Sequence, residues 1–563
     1  MAQADLVIRG ATIIDGSGAA SFTGDIAIKD GVFTAVGDVT GSAREEINAH
    51  GAMAIPGLVD IHTHYDGLCT WAERMQPSSH HGVTTAVMGN CGVGFAPVRT
   101  EDHNRLIELM EGVEDIPGVA LHEGLPWAWE SFPDYLNYLD ARPFDMDIAA
   151  QLPHAALRVY VMGERGAARE EATADDIASM RRLTAEAIAA GALGFTSSRT
   201  LNHRSINGDP TPSLTAAKAE LIGIAAGVRD AGGAVIEMIS DFKGLDEEFE
   251  TLMAMVDAAN SPMSMSLAQG LNPNGWRKII SKIEAANASG RVVRGQVAPR
   301  AIGITLGLSA SRNPFSSCPS YRTISDLPLP ARVEKLRDPA FRAQLIGEAE
   351  SAFSEQSFFD QLWCIDADWD YEPDPAHALG AIARQKGTSP VVETLDAMLN
   401  LDGAQLLYRP FANYLDNNLD CCREMILHPN TVMGLGDGGA HVGIICDASF
   451  PSYLLTHWGR DRSRGERIDL PTLVKAQTQD TAQAVGLNDR GMIRAGLKAD
   501  LNLIDFSKMR LEAPYMVNDL PLGGARLEQK CRGILRTVVS GQTTYIDGAP
   551  TDQLPGRLIR RGR

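Results

Sequence analysis

The sequence predicts an α/β fold whose body is a parallel barrel or sheet, with a small β domain assembled from both ends of the chain. Three observations predict it. Through the middle of the 563 residues, strand-like runs alternate with amphipathic helical runs, as in parallel β-α units. The two ends read instead as short strands separated by glycine turns. No strand candidate leads into a Gly-rich dinucleotide fingerprint, which favours a barrel over a doubly wound sheet.

Taken in order, Asp5–Arg9, Ala11–Ile14, Asp25–Ile28 and Val32–Val36 are short apolar or alternating runs, punctuated by Asp15-Gly16, Gly18 and Asp30-Gly31. So small a sheet cannot cover its own apolar face. Ala499–Asp505, Ile534–Val539 and Tyr545–Gly548 repeat the style, so residues 1–56 and 485–563 are expected to form one β-sandwich domain around a barrel of residues 57–484. Within it, Val83–Met88, Leu157–Val161, Ala192–Thr196, Ala234–Met238, Met263–Leu267 and Val432–Leu435 are strand candidates, and Ala174–Ala190 and Leu214–Ala231 have helical periodicity. The stretch 270–430 is less regular and carries Trp363, Trp369 and Tyr371; part of it reads as an insertion or lid over the barrel mouth.

Composition bounds the function. A net charge of -20 argues against nucleic acid and anionic membrane as partners. The basic tail Arg557, Arg560, Arg561, Arg563 reads as a solvated end. No apolar run reaches the roughly 18 residues of a membrane span, and eight scattered cysteines read as reduced thiols, so the expected compartment is the cytoplasm. Oligomeric state has no signature here.

The chemistry centres on Val59-Asp60-Ile61-His62-Thr63-His64-Tyr65-Asp66, which follows the apolar lead-in Ile55 to Leu58. Residues i and i+2 of a strand share a face, so His62 and His64 present two imidazoles side by side, a chelating arrangement at a strand end.

The run Ile55-Pro56-Gly57-Leu58-Val59-Asp60-Ile61-His62-Thr63-His64 resembles the first barrel strand of the amidohydrolase superfamily. Val83-Thr84-Thr85-Ala86-Val87-Met88-Gly89-Asn90-Cys91-Gly92 is similar to its N-acyl-D-amino-acid deacylase (D-aminoacylase) branch, in which the cysteine ligates metal. Leu152–Arg158, Gly191–Ser198, His428-Pro429-Asn430, Gly436-Asp437-Gly438, Arg532-Gly533-Ile534 and Pro555-Gly556-Arg557 agree. The resemblance implies a (β/α)8 TIM-like barrel with an appended β-sandwich. It implies hydrolysis of a linear amide, an N-acyl-D-amino acid or related small N-acyl compound, by a metal-activated water.

The chain also departs from that branch. Histidines expected after Gly232-Gly233 and after Pro262 are absent; the stretches read Ala234-Val235-Ile236-Glu237-Met238 and Met263-Ser264-Met265-Ser266-Leu267. The surviving ligand set is His62, His64, Cys91 and Asp437, which implies one zinc ion with an open position for water. Asp437 is the expected general base and acid, although an Asp before Gly-Gly also suits a turn. Cys91 is alternatively a plain buried thiol. Arg199, Ser198, His441 and Glu237 are the expected substrate-binding residues. Arg199 suits a carboxylate or, equally, a salt bridge, and Glu237 is either a ligand or a buried, hydrogen-bonded carboxylate. Two further readings stay open: another reaction on the same barrel (cyclic-amide hydrolase, deaminase or lyase), and a non-catalytic descendant.

Overall fold

The computed structural model describes residues 4–352 and 357–562. Parallel strands carry the body of the molecule. Leu58–Asp60, Val83–Met88 and Asp147–Ala150 form one parallel sheet. The last continues, after Gln151, as Leu152–Pro153, the edge of a six-stranded parallel sheet that runs on through Gly194–Arg199, Val235–Ser240, Met263–Ser266 and Val293–Val297 to Thr431–Met433. Just past the first and last of these strands, Thr63 and Gly438 pair in a parallel bridge. Val83–Met88 is buried at every position, as expected of a parallel strand covered on both faces.

Helices between the strands are set by local signals. Thr173 and Asp176 form a reciprocal cap at the start of Ala174–Ala190, which Gly191 ends in the left-handed conformation at φ 117°. The expected helix near Leu214–Ala231 runs over Lys218–Asp230.

Strands from both ends of the chain share one sheet. A nine-stranded sheet orders Ala549–Pro550, Gln542–Ile546, Ile534–Val539, Leu501–Ile504, Met53–Pro56, Ala4–Ile13, Phe22–Lys29 and Val32–Gly37, with Ala43–Asn48 paired to Ala4–Ile13. The joint between the termini is the antiparallel ladder Leu501↔Pro56 to Ile504↔Met53. Behind it, Leu6, Ile8, Ile26, Ile28 and Phe33 pack with Leu501, Leu503 and Val538.

One expectation is corrected. Leu157–Val161 is not a strand but lies in the helix His154–Met162. The strand is one segment upstream, at Asp147–Ala150, where Asp-Ile-Ala-Ala has too little β-branched character to announce itself. The irregular segment lies within 270–430. Val293–Val297 belongs to the parallel set. Most of the segment between that strand and Thr431–Met433 packs on its own core around Leu306, Phe315, Leu336, Leu395 and Leu407, with an antiparallel sheet of Ile302–Leu306, Leu407–Ala412 and Trp363–Cys364.

Candidate active site

His62 and His64 leave the end of the Leu58–Asp60 strand and are held by the last strand's loop. The His64 N–H donates to Gly438 O at 2.7 Å, and the Asp437 N–H donates to His62 O at 2.9 Å. The backbone approaches so closely here that a Cβ on Gly436 would stand 2.3 Å from Asp60 Oδ2. Cys91, Leu435, Asp437 and His441 all adopt positive φ, between 46° and 57°. Non-glycine residues in that region are uncommon, and such strain gathers at functional sites.

The expected ligands converge. His62 Nε2 lies 3.3 Å from Cys91 Sγ and 3.3 Å from Asp437 Oδ1, and His64 Nε2 lies 3.6 Å from that same oxygen. Ligand atoms of His62, His64 and Cys91 all fall within 4.8 Å of one another. The edges of a tetrahedron around zinc, with bonds of about 2.0–2.3 Å, measure roughly 3.3–3.8 Å.

The tautomer of His62 suits the same purpose. His62 Nδ1 is 2.6 Å from Gln296 Oε1, a carbonyl that can only accept, so Nδ1 carries the hydrogen and the Nε2 lone pair faces the cluster. His64 Nδ1 lies 3.1 Å from Glu114 Oε1 without hydrogen-bond geometry and has no hydrogen-bond partner among the described residues, while its Nε2 faces Asp437. Burial pushes His62 down to about 4 and His64 to about 3, so both rings are neutral near pH 7.

Acids crowd the same volume. Burial holds the Cys91 thiol and the Glu114 carboxyl well above their usual ranges and raises Asp437; Glu237 is pushed up to about 8. Among the described residues, Glu114 Oε2 and Glu237 Oε1 have no hydrogen-bond partner. Removing an ionised carboxylate from water costs several kcal/mol unless a cation answers it. Neutral imidazoles do not supply one, so this donor set fits a divalent metal ion.

The other expected residues divide. His441 comes to the cluster, with Nε2 3.8 Å from Glu114 Oε2. Ser198 is buried, its Oγ 2.9 Å from His203 Nδ1. Glu237 accepts the Cys91 N–H at 2.9 Å and so supports that turn. Arg199 is the correction. Its guanidinium is bidentate to Glu248 at 2.7 and 3.0 Å and donates to Ala216 O, leaving no fork for a substrate carboxylate. Glu114, Gln296 and His203 were not anticipated. Glu114 ends the helix His103–Glu114, where no local pattern marks it. Gln296 has a signal in retrospect, the Val293–Val297 run after the helix Gly275–Ala288.

A parallel α/β body with a buried cluster of nitrogen, sulfur and oxygen donors at its strand ends thus defines the class. The amidohydrolase family pattern matches residues 45–545, and the chain belongs to that family. It is 25% identical over 566 residues to an N-acyl-D-glutamate deacylase of Alcaligenes xylosoxydans xylosoxydans, covering 99% of this chain and 96% of that protein. A crystal structure of D-aminoacylase superposes with a TM-score of 0.66 at 24% identity, covering 99% of this chain and all of that one. An N-acyl-D-glutamate deacylase from Bordetella bronchiseptica, complexed with zinc and a phosphonate inhibitor, superposes with a TM-score of 0.65 at 22% identity over 99% of this chain and 100% of that one.

Proposed function

We propose that the protein is a metal-dependent amidohydrolase that cleaves a linear amide, an N-acyl-D-amino acid or a related small N-acyl compound. The observation that carries this is the convergence of His62, His64, Cys91 and Asp437, and the named deacylase relative over nearly the full chain supports it. We further infer that the two parallel sheets close as one (β/α)8 barrel, since their outer strands meet at the Thr63–Gly438 bridge. The sheet shared by both termini is then the β-sandwich domain. All eight cysteines are free thiols, which supports the cytoplasm as the compartment. No helix among the described residues is long and apolar enough to cross a membrane.

His62, His64, Cys91 and Asp437 would hold one zinc ion. When bound, the zinc acidifies a water molecule and polarises the scissile carbonyl. Gln296 fixes the ring orientation of His62, and Glu114 stands 3.1 Å from His64 Nδ1. Asp437, which burial makes more basic than an exposed carboxylate, accepts the proton of the attacking water and returns it to the departing nitrogen. Ser198 and His441 line the site and orient the substrate; Arg199 holds the wall through Glu248. Glu237-Met238 and Leu267-Ala268 occupy the positions expected to supply imidazoles to a second ion, and Ser264 Oγ accepts from Gln296 Nε2 at 2.7 Å.

Elemental analysis of the purified protein, paired with a screen of N-acyl amino acids of both hands, tests the proposal. One equivalent of zinc, turnover of D-substrates and loss of both in His62→Ala and His64→Ala are expected. Active enzyme free of metal would overturn the mechanism, and two tightly held equivalents would overturn the single-ion assignment.

A further inference from the structure

A pocket opens directly from His64 and Asp437 toward the C-terminal part of the chain, walled by Leu68, Trp71, Ile116, Ile445, Leu520 and Leu527. Two of these walls belong to the hairpin Tyr515–Leu520 and Gly524–Glu528. That hairpin is docked on the active-site loop, because the Leu527 N–H donates to Val442 O at 2.6 Å. The pocket is also lined by Arg526.

Arg526 is 8% exposed, and its guanidinium is only partly used. Nε and Nη2 donate to the two carboxylate oxygens of Asp519, each at 2.7 Å, and Nη2 also lies 3.3 Å from Glu528 Oε2. Nη1 is buried and has no hydrogen-bond partner among the described residues. A buried donor left unmade is costly, so an oxygen of whatever fills the pocket is its natural acceptor.

Charge decides which oxygen. One guanidinium already faces two carboxylates, Asp519 and Glu528. Arg526 is the one Arg or Lys among the described residues lining the pocket, and nearby Arg300 is taken by Asp447, itself a pocket wall, at 2.9 Å. The pocket wall at Arg526 therefore carries an unmade N–H without surplus positive charge, and a further carboxylate entering the pocket would meet like charge in a low dielectric. We propose that Arg526 is a specificity residue: its Nη1 binds an uncharged oxygen acceptor on an otherwise apolar part of the substrate, and the 515–528 hairpin thereby selects neutral over acidic N-acyl compounds. This deepens the reading of the site as an amide hydrolase and rests on it. It also separates the chain from the acidic amino acid named for its deacylase relative.

The test uses the zinc-loaded protein and substrate pairs that differ in charge alone: N-acetyl-D-glutamine against N-acetyl-D-glutamate, and N-succinamoyl-D-leucine against N-succinyl-D-leucine. In one pair the neutral member should win by roughly 10- to 100-fold in kcat/KM, expressed mainly in KM. Arg526→Met should erase most of that preference. Asp519→Asn, at a half-exposed position, should shift it about tenfold toward the acidic member, a gain that misfolding cannot mimic. Preference for the acid in both pairs, or ratios unmoved by both substitutions, would overturn the inference. If none of the four is hydrolysed, dissociation constants measured by calorimetry for the same compounds and variants decide it. Discrimination that depends on Arg526 and Asp519 would then survive a failed hydrolase reading, and its absence would overturn the inference as well.

Discussion

Gln296 Oε1 and His62 Nδ1 stand 2.6 Å apart at the base of the site, and this contact alone fixes which ring nitrogen of His62 faces Cys91 and Asp437. Gln296 is itself oriented by Ser264. Replacing it by methionine keeps the volume and removes the acceptor. Zinc affinity measured against a competing chelator is expected to fall 10- to 100-fold, the usual effect of losing such a partner, with the fold retained. Unchanged affinity would show that the ring is held by its packing instead.

Asp437→Asn retains size and the capacity to accept a hydrogen bond but cannot take a proton. The expected result is a kcat lower by about 10²–10⁴ with an unaltered circular dichroism spectrum. Near-normal turnover would move proton transfer to another group, with Glu237 the first to examine.

Arg199 is assigned to the wall rather than the substrate. Arg199→Met breaks a bidentate pair with Glu248, which is nearly buried. It should therefore lower the melting temperature while leaving KM close to that of the parent. A large rise in KM with unchanged stability would restore the substrate role.

Acid stability should depend on Glu372. Burial alone would raise its pKa, but hydrogen bonds from His457 and Arg462 and from the Leu419 N–H outweigh burial and hold it at about 2, below its ordinary 4.5. Because the folded value is the lower one, the unfolded chain takes up the proton first as pH falls. The stabilisation is complete above about 4.5 and disappears toward 2. Glu372→Gln should be less stable at pH 7 and lose less additional stability between pH 4.5 and 2. Urea midpoints across that range check this; parallel curves for parent and variant would refute it.

Deleting residues from Ala499 onward removes Leu501–Ile504 and Ile534–Val539 and uncovers the edge of Met53–Pro56. An exposed strand edge beside an apolar face is an aggregation site, so the truncated protein should be insoluble. A soluble product with a cooperative melt would show that the two ends fold independently.

What the sequence by itself determined was local or periodic. His62 and His64 declare themselves because a strand places i and i+2 on one face, and the terminal strands because short alternating runs lie between glycine turns. The strand-helix alternation likewise carried the parallel α/β class. Tertiary structure alone decided what depends on neighbours distant in the chain. Glu114 reaches His64 from a helix end, Gln296 reaches His62 across 234 residues, and Arg526 reaches the pocket from a hairpin near the C-terminus. It also decided that the Arg199 fork is spent on Glu248, since a sequence reports which side chains carry charge but not which opposite charge arrives first. Asp147–Ala150 was missed and Leu157–Val161 misread for a related reason. Burial against neighbouring elements overrides local propensity, and that burial exists only once the strands have assembled.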